Sequence, residues 1–221
     1  MSKPYQLLLI TITLLAIIFF GFQIKNFRID ASSDTLVSQN DKDFKYFNYY
    51  QNIFPTNNSL IVAIKSKQII DERLLNEVQI ISDKISRLQE VSSIFNINKA
   101  PILFLNNTNL IDLSSGNYET IQKTKIKINN VLDEFANSPI YSNQIINDKK
   151  NITSLVIFLN TNKKLIDLKK NKEKYISNNT YFKIKSQIDQ ERQEFIFKIR
   201  NILQEGNKDY QYYLGGVEMI S

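Results

Sequence analysis

Acidic side chains are the residues of this chain best suited to acid–base or metal chemistry, because the sequence contains no His and no Cys. The missing His removes the commonest general base and transition-metal ligand, and the missing Cys removes thiol nucleophiles and disulfides. Asp30, Asp34, Asp71 and Asp83 are the candidates, but nothing pairs them as general acid and base. The sequence also has no glycine-rich phosphate loop. It therefore predicts no catalytic residue, no metal site and no cofactor.

Basic residues are the other group with a possible binding role. The chain has 28 Lys and Arg against 22 Asp and Glu, a net charge of +6. Lysines cluster between Lys163 and Lys174, but Asp167 and Glu173 interrupt the cluster. Nucleic-acid binding would favour basic residues on one face with interleaved aromatic rings. We therefore expect no nucleic-acid partner, and the charge reflects a general richness in Lys, Asn and Ile.

A long apolar run begins close to the N-terminus. Tyr5 to Ile24 contains no charged residue, and as an α-helix it would be about 30 Å long, the thickness of a bilayer core. A signal peptide would have a shorter apolar core and a small-residue cleavage site, which is missing here. A buried core helix is a poor explanation at this length. The sequence predicts an uncleaved transmembrane helix with its flanks at residues 1–28. Lys3 on one side and Lys25 and Arg28 on the other do not fix its orientation.

The whole chain has 43% hydrophobic and 23% charged residues, which is typical of folded domains. After a polar linker, the aromatic-rich stretch 41–54 predicts a short helix that Pro55 ends, so that 29–58 forms linker and helix. A β-branched run predicts a strand at 59–65 and an amphipathic pattern predicts a helix at 71–89. A second strand is predicted at 91–97 and an irregular stretch at 98–115. The apolar run from Ile102 to Leu105 in that stretch must find cover in the fold, in a partner or at a membrane surface.

The second half of the chain repeats this pattern. A helix is predicted at 118–137, a strand at 154–160, a basic connection at 163–180 and a helix at 182–204, stopped by a left-handed Gly206. A last strand follows at 210–214. The sequence thus predicts an α+β domain over 59–214, with βαβ-type units at 59–97 and 154–214 and the helix 118–137 between them. The two units could share one sheet or form two abutting sheets.

Three segments of the sequence together follow the pattern of a known family. The first is the exit from the apolar helix, IKNFRIDASSDTLVSQND, followed by FKYFNYYQNIFPTNNSLIVAIK. The second is DERLLNEVQIISDKISRLQEVSSIFNI, a helix leading into a strand, and the third is YLGGVEMIS. In order and spacing they resemble the extracytoplasmic start of resistance-nodulation-division (RND) transporters, in the branch of the large mycobacterial membrane proteins and related lipid exporters. YLGGVEMIS is similar to the passage from the first porter domain to the second membrane helix in that family.

The resemblance implies a proton-driven secondary transporter that exports hydrophobic or amphipathic compounds such as lipids or drugs. It implies a bacterial inner-membrane location, with residues after about 28 on the periplasmic side, and a porter domain built from βαβ units. Its expected partners are the lipid bilayer, the substrate, the transporter chain after Ser221 and other copies in a homo-oligomer. Residues 215–221 would begin the connection to a second membrane helix in a truncated chain. Coupling residues of such transporters lie in other membrane helices, and no substrate-binding residue can be assigned.

Two alternatives remain from the sequence alone. A single-pass receptor or sensor with an extracytoplasmic ligand-binding domain would also combine one apolar helix with an α+β domain. A membrane-anchored enzyme is the weaker alternative, because the aspartates are better explained as linker and surface charges.

Overall fold

A computed structural model of the chain describes residues 3–23, 42–53, 58–177 and 180–216. The chain divides into two compact units, Met1–Phe54 and Pro55–Ser221. The predicted linker up to residue 41, with Asp30 and Asp34, lies outside the described residues, as does the predicted connection at 217–221.

The first unit contains two described helices, α1 (Lys3–Gln23) and α2 (Lys42–Ile53). Nowhere in the described part of the chain is a helix found that is both long and apolar enough to cross a membrane. Helix α2 confirms the predicted aromatic helix, and its Tyr46 and Tyr50 hydroxyls lie 3.0 Å apart.

One four-stranded sheet organises the second unit, formed by β1 (Ser59–Lys65), β2 (Val91–Asn96), β3 (Ile152–Leu159) and β4 (Gln211–Gly215). The order across the sheet is β2-β3-β1-β4, and every neighbouring pair is antiparallel. Strands β1 and β2 are therefore parallel with β3 between them, and β3 and β4 are parallel with β1 between them. These are two interleaved split βαβ units, the ferredoxin-like arrangement. The predicted mixed α+β class is confirmed, and the two units share one sheet.

The main core lies on one face of this sheet. Leu60, Val62 and Ile64 of β1 alternate toward it and are fully buried, as are Leu155 and Ile157 of β3. Helix α3 (Glu72–Ser86) covers this face with the predicted apolar stripe. Its boundaries are narrower than the predicted 71–89, because Asp71 is the N-cap: its carboxylate accepts a hydrogen bond from the Leu74 N–H at 3.0 Å.

The second covering helix, α8 (Tyr181–Gln204), confirms the predicted helix at 182–204. The predicted role of Gly206 is wrong. The C-cap is Glu205 in a right-handed conformation, and Gly206 is not among the glycines with positive φ. Gly206 instead permits a close approach, because a Cβ there would lie 2.7 Å from the Tyr212 hydroxyl and 3.0 Å from Glu77 Oε1.

The connection from β2 to β3 departs most from the sequence prediction. Only Ile128–Asn137 is helical (α5), so the predicted helix at 118–137 is wrong over its first half. Thr120 instead pairs with Pro101, and the Ile102 N–H donates to the Glu119 carbonyl at 2.9 Å. These long-range backbone bonds replace helical ones. The stretch predicted as irregular also contains a short helix, α4 (Leu110–Ser115), with a capping box formed by Asn109 and Asp112.

The predicted basic connection at 163–180 is also wrong in type, because it contains the helices α6 (Lys163–Lys170) and α7 (Lys172–Ser177). They pack on the N-terminal part of α8 around a second, small cluster. Its buried members are Leu168, Tyr181 and Ile188, with Leu165, Tyr175 and Ile184 half-buried beside them. We call α6, α7 and Tyr181–Ile188 the helical arm. The lysine-rich sequence concealed the few apolar positions that suffice for this packing.

Candidate functional site

The acidic residues singled out from the sequence have structural roles where they are described. The Asp71 carboxylate caps α3 and lies 3.0 Å from Arg73 Nε. The hydrogen bond from the Leu74 N–H, assisted by Arg73, lowers the pKa of Asp71. Asp83 accepts a hydrogen bond from Gln79 at 2.8 Å. No group of three acidic side chains that could hold a metal ion occurs within the described ranges.

An open cavity of about 410 Å³ lies between the C-terminal end of α8 and strand β4. Its walls are apolar and aromatic with two basic side chains; they are formed by Arg200, Leu203, Gln204, Lys208, Tyr210, Tyr212 and Leu214. An apolar wall with a few polar groups is typical of small-molecule sites. This composition suits a molecule with an apolar body and an acidic group.

Glu77 fixes the inner wall of this cavity. Its Oε1 accepts hydrogen bonds from the Tyr212 hydroxyl at 2.7 Å and from the Asn207 N–H at 2.9 Å. Burial and the Glu77 hydrogen bond raise the pKa of Tyr212, so the hydroxyl stays protonated. The cavity thus offers the positive charge of Arg200 and Lys208, while the Tyr212 hydroxyl proton is bound by Glu77. Sequence reasoning missed the cavity because its lining residues, although all within 200–214, form no recognisable motif, and Glu77, which orders Tyr212, comes from α3.

The second face of the sheet is apolar and remains partly exposed. We call it the open sheet face; it consists of Ile61, Ala63, Phe95, Val156, Phe158 and Tyr213, which occupy facing positions in the strand registers. Ile61 is 43% exposed and Tyr213 54%. One end of the face is covered where the Ser154 hydroxyl donates to the Gln144 carbonyl. A solvated face of an antiparallel sheet is normally polar, so an apolar one indicates a contact surface.

A third surface is the loop at residues 102–111, here called the apolar loop. Its most exposed large side chains are Phe104 (64%), Leu110 (83%) and Ile111 (77%), and Leu105 is 45% exposed. The sequence predicts that the run from Ile102 to Leu105 needs cover in the fold, in a partner or at a membrane surface. The fold buries Ile102 and partly covers Leu103, but leaves the remainder exposed.

Glu134 on α5 holds the apolar loop in shape. Its carboxylate accepts hydrogen bonds from the backbone N–H groups of Leu103, Phe104 and Leu105 at 2.6, 3.1 and 2.8 Å. The loop closes where the Thr108 N–H donates to the Leu103 carbonyl at 2.9 Å. Three N–H groups converging on one carboxylate are a strong local restraint. The apolar side chains are therefore displayed on a braced loop.

Comparisons with protein-family models, with curated proteins and with solved structures find no match for this chain. Function is therefore argued from the cavity, the open sheet face and the apolar loop.

Proposed function

We propose that this chain is the N-terminal part of an RND-type exporter, in which α1 anchors the chain in the bacterial inner membrane and the sheet domain serves as the first porter domain. The proposed substrates are hydrophobic or amphipathic compounds. The observation that carries the proposal is the pair of interleaved split βαβ units in one sheet, which is the construction expected of a porter domain from the family resemblance.

The apolar surface of α1 supports the membrane part of the proposal. Ile17, Phe20 and Phe22 are each about two-thirds exposed or more, at 67, 68 and 72%. Leaving such side chains in water is unfavourable by roughly 1.5–3 kcal/mol each relative to burial. With the uncharged run from Tyr5 to Ile24, lipid is the environment that would cover them on all sides.

The open sheet face and the cavity support the proposal that the sheet domain is a porter domain. A transporter domain must pack against other domains and present a path to its substrate. The apolar open sheet face suits the first task. The cavity, with Arg200 and Lys208 beside Tyr210 and Tyr212, suits an amphipathic substrate that carries an acidic group.

Export can be tested in cells of the source organism that lack this chain. We expect them to accumulate more of a fluorescent amphipathic dye than complemented cells, and we expect a protonophore to abolish the difference. Ile61→Lys tests the open sheet face, because it places a charge on a partly exposed position without opening the core. Ile80→Lys is the matched control: Ile80 is 52% exposed on α3.

The expected result is that I80K restores export and I61K does not, at equal protein levels. Equal dye accumulation with and without the chain would contradict the transport proposal. Export by I61K at the wild-type rate would show that the open sheet face has no docking role.

A further inference from the structure

We propose that the apolar loop is a second membrane contact, inserting Phe104, Leu105, Leu110 and Ile111 into the headgroup boundary of a lipid bilayer that contains anionic lipids. This inference builds on the proposed anchoring by α1 but concerns a different part of the chain. It assigns a lipid ligand to a surface of the folded domain.

The first argument is exposure combined with bracing. Leu110 and Ile111 are the most exposed large apolar side chains that the structure describes, at 83 and 77%. They form the first turn of α4, which the capping box between Asn109 and Asp112 fixes. Glu134 fixes the other end of the loop. The Glu134 carboxylate and the capping box thus hold exposed apolar side chains in a fixed arrangement. An exposed apolar surface of this kind indicates an interaction site.

The second argument is the charge next to the loop. The segment 119–127 begins at the loop base, where Thr120 forms a bridge with Pro101 and the Glu119 carboxylate accepts a hydrogen bond from Asn106 at 2.9 Å. This segment carries Lys123, Lys125 and Lys127, all exposed, against the single glutamate. Apolar side chains beside several lysines are the pattern that binds anionic bilayer interfaces. A purely apolar protein partner would not favour these lysines, so lipid is the occupant that both features fit.

The sequence makes a direct test possible because it contains no Trp. Leu110→Trp therefore creates a single fluorescent reporter in the apolar loop, and Ile111→Trp is a second reporter should the first variant fail to fold. The matched control is Phe197→Trp, at an exposed position (62%) on α8. Phe19→Trp reports on α1. Each full-length variant is reconstituted into vesicles of phosphatidylcholine and phosphatidylglycerol, with or without bromine atoms on the acyl chains.

We expect Leu110→Trp to emit at shorter wavelength in vesicles and to lose intensity in brominated lipid, whereas Phe197→Trp keeps its intensity. Replacing Lys123, Lys125 and Lys127 by Glu should reduce the loss at position 110 and leave the loss at position 19 unchanged. No bromine-dependent loss at either loop position overturns the inference. A loop reporter shielded from aqueous iodide but not quenched by brominated lipid also overturns it, in favour of contact with another protein or a second copy.

The two proposals fail separately in this experiment. Quenching by brominated lipid at position 19 but not at positions 110 and 111 supports anchoring by α1 and contradicts lipid binding by the apolar loop. Quenching by brominated lipid at position 110 but not at position 19 supports lipid binding by the apolar loop and contradicts anchoring by α1.

Discussion

The sheet core and the helical arm belong to the same domain, yet they are stabilised very differently. The core buries apolar side chains from β1, β2 and β3 and from α3, α5 and α8, and Tyr212 and Leu214 of β4 are half-buried against it. Among the described residues, the helical arm buries Leu168, Tyr181 and Ile188, and α8 contributes to both clusters. A small apolar cluster contributes little free energy of unfolding, so the arm should open while the core stays folded. The comparison teaches that one long helix can carry a stable half and a labile half.

The largest expected effect comes from a Leu→Ala substitution made once in the sheet core and once in the helical arm. Leu74 in α3 and Leu168 in α6 are both buried helical leucines, at 0 and 2% exposure. Leu74→Ala should lower the global free energy of unfolding by about 2–5 kcal/mol. Leu168→Ala should instead increase amide hydrogen exchange in the arm and shift the global unfolding midpoint much less. Equal shifts of the denaturant midpoint would contradict the division into two clusters.

Alkaline pH should act on the core through Tyr141. Burial, with the nearby Glu134 charge, raises the pKa of Tyr141 to about 12, and its hydroxyl donates to the Pro101 carbonyl at 3.1 Å. The unfolded chain ionises near pH 10, so stability from this group is complete below pH 10 and is lost as the pH rises toward 12. We expect the free energy of unfolding to fall by at most about 2 kcal/mol, because solvent screens part of the interaction.

Tyr141→Phe checks this expectation by denaturant titration across that pH range. The variant should be less stable near pH 8, because the hydrogen bond is gone, but its stability should fall less steeply above pH 10. A decline as steep as that of the wild type would rule out Tyr141 as a contributor.

Two helix N-caps, one in the sheet core and one in the helical arm, compare the same two regions through a smaller free-energy change. The Asp71 carboxylate accepts from the Leu74 N–H at 3.0 Å, and the Asn162 side chain accepts from the Leu165 N–H at 3.1 Å. Each should contribute about 1 kcal/mol to its own helix. Asp71→Ala should therefore lower global stability by that amount, whereas Asn162→Ala should change only hydrogen exchange in the arm. A global loss from Asn162→Ala would mean that the arm unfolds together with the core.

The smallest expected effects come from exposed ion pairs. Lys164 of the arm lies 2.6 Å from Glu191 on α8, and Lys84 lies 3.2 Å from Glu205 beside the core. Both pairs are solvent-exposed and should contribute about 0.2–1 kcal/mol. Lys164→Gln and Lys84→Gln should have similar small effects that vanish in high salt, measured by double-mutant cycles with the partner glutamates. A large effect at either position would identify a coupling that the exposed geometry does not explain.

Much of the fold could be predicted because its elements carry their own patterns. The β-branched run of β1 and the stripe from Leu74 to Ile85 each identify one element and its buried side. The helices α6 and α7 were missed because their few apolar positions lie among lysines. The helix predicted at 118–137 fails over its first half because of long-range hydrogen bonds. Residues near Thr120 have a helical apolar pattern, but pairing with Pro101 takes their backbone out of the helix.

The candidate sites could not be predicted from the sequence for a related reason. Glu134 braces a loop about thirty residues away, and the cavity combines Glu77 with Tyr212 across the domain. Neither pairing leaves a local motif. The run from Ile102 to Leu105 was the single signal available, because its apolar composition was out of place in a segment predicted to be irregular.

The most direct test of the central claim, that α1 holds the domain outside the cytoplasm, uses the absence of Cys. Ser86→Cys places one thiol at an exposed position, where the serine hydroxyl donates to the Asp83 carbonyl of its own helix at 3.0 Å. Ser2→Cys places one thiol before α1 in the sequence. A membrane-impermeant maleimide applied to spheroplasts should label position 86 at once and position 2 only after lysis. Labelling of position 86 only after lysis would contradict the account.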